Sequence, residues 1–121
     1  MATHGWSEPK RVRRSVHAND RHLGYVTMIS YPNRDLTAFS EGSPHREIVI
    51  ADEREGHVAL LQRFKEHWLI QCGKCYGTTD RSEPIGEAQA MELASFTLRQ
   101  FESGEFLVAV IKQQMEKLME K

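Results

Sequence analysis

Residues 10–31 constrain the fold of this chain more than any other stretch. In 10–17, Val12 and Val16 alternate with Arg11, Arg13 and Ser15, the period-two pattern of a strand with one apolar side. Residues 22–31 are rich in aromatic and β-branched side chains (Tyr25, Val26, Thr27, Ile29, Tyr31) and end at Pro32. Between them Ala18-Asn19-Asp20-Arg21 supplies a turn, because Asn and Asp side chains bond nearby backbone and tolerate turn dihedrals. A β-hairpin follows, and whatever comes after it must cover or extend a sheet.

Residues 33–45, with Ser40, Gly42, Ser43 and Pro44, read as a surface loop, and 46–51 around Ile48-Val49-Ile50 as a third, buried strand. The pattern then changes. Asp52 with Glu55 has the spacing of a capping box, and Val58, Leu61, Phe64, Trp68 and Leu69 recur at helical spacing, which predicts a helix over 53–69. A rival reading places strands at 58–64 and 68–72 around 65–67, and Gly56 weakens the helix. Residues 71–82 form a Gly- and Thr-rich connection. Ser82 and Pro84 open a second helix whose face is Ala90, Met91, Ala94, Leu98 and Phe101, with Gly104 as its stop. A third helix is predicted over 106–120. The fold class is therefore α+β: an antiparallel sheet of about three strands in the amino-terminal half, packed by about three helices in the carboxy-terminal half. Residues 1–9 are expected to be a loose arm and 10–121 a single domain.

The 121 residues are enough for one core without disulfides. The formal net charge of −1 excludes a global field that would steer nucleic acid or a membrane surface. Charge is nevertheless uneven, with Lys10, Arg11, Arg13, Arg14 and Arg21 at the front and an acidic excess from Glu83 onward. The amino-terminal residues lack the apolar stretch of a secretory signal, and the run 106–111 is too short to span a bilayer. A cytoplasmic location with no membrane partner is expected.

Three features carry chemistry. Cys72-Gly73-Lys74-Cys75 sets two thiols at the spacing of a metal knuckle, over 68–77 resembling half of a zinc ribbon; no second such pair exists in the chain. One zinc ion would need further ligands, and His67 is the nearest histidine in sequence. On a helix His57 and His67 would stand roughly 15 Å apart, whereas a hairpin changes which histidine is available. Thiol-redox work is the other use of such a pair. Second, Lys10, Arg11, Arg13 and Arg14 form a basic ribbon suited to phosphates, with Trp6, Tyr25 and Tyr31 as stacking surfaces for unpaired bases. Third, Leu107, Ile111, Met115 and Leu118 make an apolar stripe on the last helix, which suits a protein partner, a homodimer or core packing.

No P-loop, dinucleotide fingerprint, nucleophile elbow or His-Glu-x-x-His occurs. Asp20, Asp35, Asp52, Glu53 and Glu55 would have to converge in space to build a metal-dependent hydrolase. The expected function is a non-catalytic binding protein of adaptor or inhibitor type, of the size that viruses and mobile elements encode, with a protein as its first partner. A nucleic-acid binder using the basic hairpin is the alternative, and a small thiol-redox or metal-dependent enzyme the third.

Overall fold

A computed structural model describes residues 9–31, 44–100 and 103–120. Its elements are β1 (Lys10–Ala18), β2 (Arg21–Ser30), β3 (Arg46–Asp52), β4 (His57–Arg63), β5 (Trp68–Cys72), β6 (Cys75–Thr78), α1 (Glu87–Arg99) and α2 (Gly104–Met119). The strands form one antiparallel sheet in sequence order. Class α+β holds, but three strands and three helices must be corrected to six strands and two helices among the described residues. The arm, apart from Pro9, and most of the loop over 33–45 lie outside the described residues.

The segment expected as a helix over 53–69 is the site of the correction. Asp52 does not cap a helix. Its Oδ1 accepts from the backbone N–H of Arg54 (2.9 Å) and Gly56 (2.8 Å), and its own N–H donates to the Gly56 carbonyl at 2.9 Å. Those bonds close a tight β3–β4 turn in which Glu55 adopts φ 67°. A capping box and an Asx turn begin with the same residue type. Once the chain reverses, β4 pairs its backbone with β3, and Leu61 stands between Ile48 and Ile70 in one cross-strand row. All three are fully buried. The connection carrying the thiols is likewise strand: β6 pairs with β5, Cys72 opposite Cys75.

Alternation along the strands divides the sheet into two faces. Val16, Val26, Ile48, Ile50, Leu61, Ile70 and Cys72 point to one face and form a continuous core with Leu93 and Ala94 of α1 and Leu107, Ile111 and Met115 of α2. The first helix covers β1 to β3 and the second covers β5 and β6. Its start differs from expectation. Ser82 bonds the Phe64 carbonyl instead of capping, and α1 begins at Glu87, with the Gln89 side chain accepting from the Gly86 N–H at 2.9 Å. Gly104 is not a stop but the first residue of α2, capped by Ser103, whose hydroxyl accepts from the Phe106 N–H at 3.3 Å.

Residues 79–86 strap the far end of the core. The Trp68 indole N–H donates to the Glu83 carbonyl at 2.9 Å, and its backbone N–H to Thr79 Oγ1 at 3.0 Å. Arg63, 5% exposed, donates from Nε to the Ser82 carbonyl at 2.6 Å. Its burial, with Arg46 opposite it in register, pulls the guanidinium below its ordinary pKa, and Glu83 offsets part of this.

Candidate functional site

Among the described residues both helices pack on one face of the sheet, and no helix covers the other. Its residues follow from strand register: Arg11, Arg13 and Ser15 on β1, Tyr25, Thr27 and Ile29 on β2, Glu47 and Val49 on β3, Leu60 and Gln62 on β4, Leu69 and Gln71 on β5, and Tyr76 and Thr78 on β6. One row, Arg13-Thr27-Val49-Leu60-Gln71-Tyr76, crosses all six strands. Ile29 is buried on this face. Tyr25, Thr27, Val49, Leu60 and Leu69 are half-buried, and Tyr76 is 62% exposed.

The four bases of the expected ribbon all lie on β1, an edge strand, and all four are exposed. Their alternation splits them. Arg11 and Arg13 sit on the open face. Arg14 sits on the helix face, where its Nε–H donates to Glu87 Oε2 at 3.0 Å, and Lys10 shares that side. Arg13 lies with its guanidinium carbon 3.9 Å from the centre of the Tyr25 ring and pairs with Glu55 at 3.0 Å. Both ion pairs are exposed and worth at most about 1 kcal/mol, so competition from phosphate meets little resistance. His22 edges onto Tyr25 (centroids 4.8 Å apart) and tilts against His17 (5.1 Å), extending the aromatic cluster toward the β1–β2 turn. Glu47, an acid in the open rows, accepts from the Tyr31 hydroxyl and from Gln62 Nε2 (2.6 Å), so its carboxylate is already engaged.

The thiols lie on the helix face at the β5–β6 turn. The expected partner His67 does not join them. It precedes β5 at the opposite end and stacks on Phe64, with ring centroids 5.3 Å apart. Five residues of strand put it roughly 16 Å from Cys72. The histidine that approaches the thiols is His57, which lines an open depression of about 310 Å³ with Cys72, Lys74, Cys75 and Gly104. Among the described residues no three His, Cys, Asp or Glu side chains are grouped to hold a metal ion. Burial pushes the Cys72 thiol up from 9.0 to about 11, and negative charge at Cys75 pushes in the same direction.

The apolar stripe expected as a partner surface is core. Leu107, Ile111, Met115 and Leu118 are 4%, 0%, 0% and 6% exposed, packed against the sheet they close. Among the described residues the acids do not gather into a metal site either: Asp52 is spent on its turn, Glu55 pairs with Arg13 and Asp20 lies in the β1–β2 turn with φ 64°; Asp35, and the expected stacking residue Trp6, lie outside the described residues. Sequence reasoning missed Val49, Leu60, Leu69 and Tyr76 as members of one face. Two short apolar runs, 58–61 and 68–70, of the length of buried strands were the available signal, and the helical reading of the same residues concealed it. Among the described residues no helix is long and apolar enough to cross a membrane. No protein-family model, curated protein or solved structure matches this chain.

Proposed function

We propose that the protein is a non-catalytic binding module whose open sheet face takes single-stranded nucleic acid. The observation that carries this reading is the placement of Arg11 and Arg13 on the face that neither α1 nor α2 covers, Arg13 over the Tyr25 ring and in register with a row of neutral side chains, Arg11 in the next row, whose one acid, Glu47, is bonded to Tyr31 and Gln62. An extended strand of nucleotides needs cations along one side for its phosphates and flat or apolar surface for its bases. Arg11 and Arg13 supply the first, and Tyr25, Val49, Leu60 and Tyr76 supply the second. Thr27, Gln62 and Gln71 offer neutral hydrogen-bonding groups without repelling a polyanion. With the stripe of the terminal helix buried in the core, the open face is the surface that supports a binding role.

The test is fluorescence anisotropy with labelled single-stranded oligonucleotides across a salt series. Binding is expected to weaken as salt rises, and the Arg11→Ala/Arg13→Ala double variant to lower the log–log salt slope by about 1 to 2. Tyr25→Ala is expected to cost about 1–3 kcal/mol of affinity through lost stacking. Wild-type and double-variant proteins binding alike would sink the proposal. A second reading, an apolar protein partner on the same face, is favoured by exposed Tyr76 beside Leu60 and Leu69. Salt-insensitive association that is lost in Tyr76→Ser would select it.

A further inference from the structure

The thiol pair plays no part in the open-face reading and is independent of it. We propose that Cys72 and Cys75 are a reversible disulfide-forming pair, oxidised across the β5–β6 turn by a small-molecule disulfide such as glutathione disulfide, with Cys75 attacking first. Three observations converge on this pair.

The first is register. Cys72 and Cys75 are direct cross-strand partners, so both side chains leave the same face of the sheet. Directly opposed antiparallel residues hold their Cα atoms about 4.5–5.5 Å apart. That lies inside the window of about 4.4–6.8 Å that a disulfide spans without moving backbone. Gly73, with φ 63°, gives the first central turn position the positive angle that a tight two-residue hairpin requires. No disulfide joins them in the structure.

The second is unequal access. Cys72 is 1% exposed, whereas Cys75 is partly exposed at the depression shared with His57 and Lys74. An oxidant meets Cys75 before Cys72. Lys74 places a cation beside the carboxylates that a glutathione molecule carries.

The third is what lies behind the sulfurs. Gly104, the first residue of α2, packs so closely that an added Cβ would stand 2.5 Å from the Cys72 carbonyl oxygen and 3.4 Å from Cys75 Sγ. Cys75 therefore abuts the amino-terminal end of a helix, which carries partial positive charge.

The chemistry balances with the one co-reactant. Cys75 releases its proton to water, and its thiolate attacks one sulfur of glutathione disulfide. The sulfur–sulfur bond breaks, one glutathione leaves as thiolate, and a mixed disulfide forms on Cys75. Cys72 loses its proton to the first departing glutathione thiolate and attacks Cys75 Sγ; the mixed disulfide breaks, and the second glutathione leaves as thiolate and takes up the proton that Cys75 released to water. Two protein thiols are oxidised and one glutathione disulfide is reduced to two glutathiones.

The full chain is exposed to glutathione disulfide, quenched with an alkylating agent under denaturing conditions and weighed by intact mass spectrometry. The expected product is lighter by two hydrogens, carries no glutathione, resists alkylation at both cysteines and returns to dithiol with dithiothreitol. Cys72→Ala is expected to stop at a glutathione adduct on Cys75. Trypsin offers a check without a variant: it cuts after Lys74, and an internal bond keeps the two cysteine peptides joined until reduction. A stable adduct on Cys75 of the wild-type chain, alkylation of both cysteines after oxidation, or a disulfide-linked dimer would each overturn the proposal.

Discussion

The two faces of the sheet are made from alternating residues of the same strands, and they put those residues to different uses. On the helix side, Val26, Ile48, Ile50, Leu61 and Ile70 are completely buried, and their neighbours come from every other element of the fold. On the other side, Thr27, Val49, Leu60, Gln62, Leu69 and Gln71 stay half-buried, flanked by Arg11 and Arg13 at one edge and Tyr76 at the other. Stability is concentrated where apolar area leaves water, since removal of apolar surface is the dominant favourable contribution to folding. The open face contributes less to stability and is accordingly freer to vary its chemistry. The contrast also separates residues whose loss unfolds the chain from residues whose loss affects binding alone.

The largest expected effect compares two aromatics on neighbouring strands. Trp68→Ala removes a fully buried indole together with its bond to the Glu83 carbonyl. It should cost about 3–5 kcal/mol in urea unfolding. Tyr76→Ala, at a ring 62% exposed on the other face, should shift stability by no more than about 0.5 kcal/mol. Equal losses would erase the distinction between the faces.

A pH series sharpens the same contrast from the covered side. The Cys72 thiol ionises near 9.0 in an unfolded chain and at about 11 in the fold. Its raised folded value means that the contribution is complete below pH 9 and is lost as pH rises through 11. Wild-type stability should therefore fall between pH 9 and 11 more steeply than that of Cys72→Ala, as thermal melts would show. Parallel curves would mean that the sulfur is less desolvated than its position indicates.

Smaller effects are expected on the open face. Glu47→Ala removes the acceptor of Tyr31 and Gln62. It should cost about 1 kcal/mol in denaturant unfolding and, by deleting an anion, tighten any nucleic-acid binding. Arg13→Ala should change stability by less than about 0.5 kcal/mol, because its pair with Glu55 is exposed. Its effect belongs in the salt slope of oligonucleotide binding, and a large loss of stability instead would make Arg13 a structural residue.

Legibility differed along the chain for a physical reason. Local patterns announced β1, β2 and β3, and α2 lies where an apolar stripe at helical spacing predicted it. The thiols were legible as a pair but not as a hairpin, because the residues that turn the chain there, Gly73 and Lys74, read equally well as a metal knuckle. The basic ribbon was legible as charge and as an alternating strand. That Arg11 and Arg13 share their face with Leu60, Gln71 and Tyr76 required a register running across five strand pairs, which no local window contains.

By itself the sequence determined the α+β class, the opening hairpin, the third strand and the amphipathic last helix. Each rests on interactions within a few residues: turn chemistry, β-branched alternation and apolar periodicity. Tertiary structure alone decided that 57–72 is a hairpin and not a helix. Val58, Leu61, Trp68 and Leu69 fit helical spacing locally, while the same segments are also short apolar runs of strand length. A helix would have bonded its own backbone and left the outer edge of β3 unpaired. The hairpin pairs that edge and buries Leu61 between Ile48 and Ile70. Strand hydrogen bonds join residues distant in the chain, so the decision belonged to β3 and to the helices that close over it.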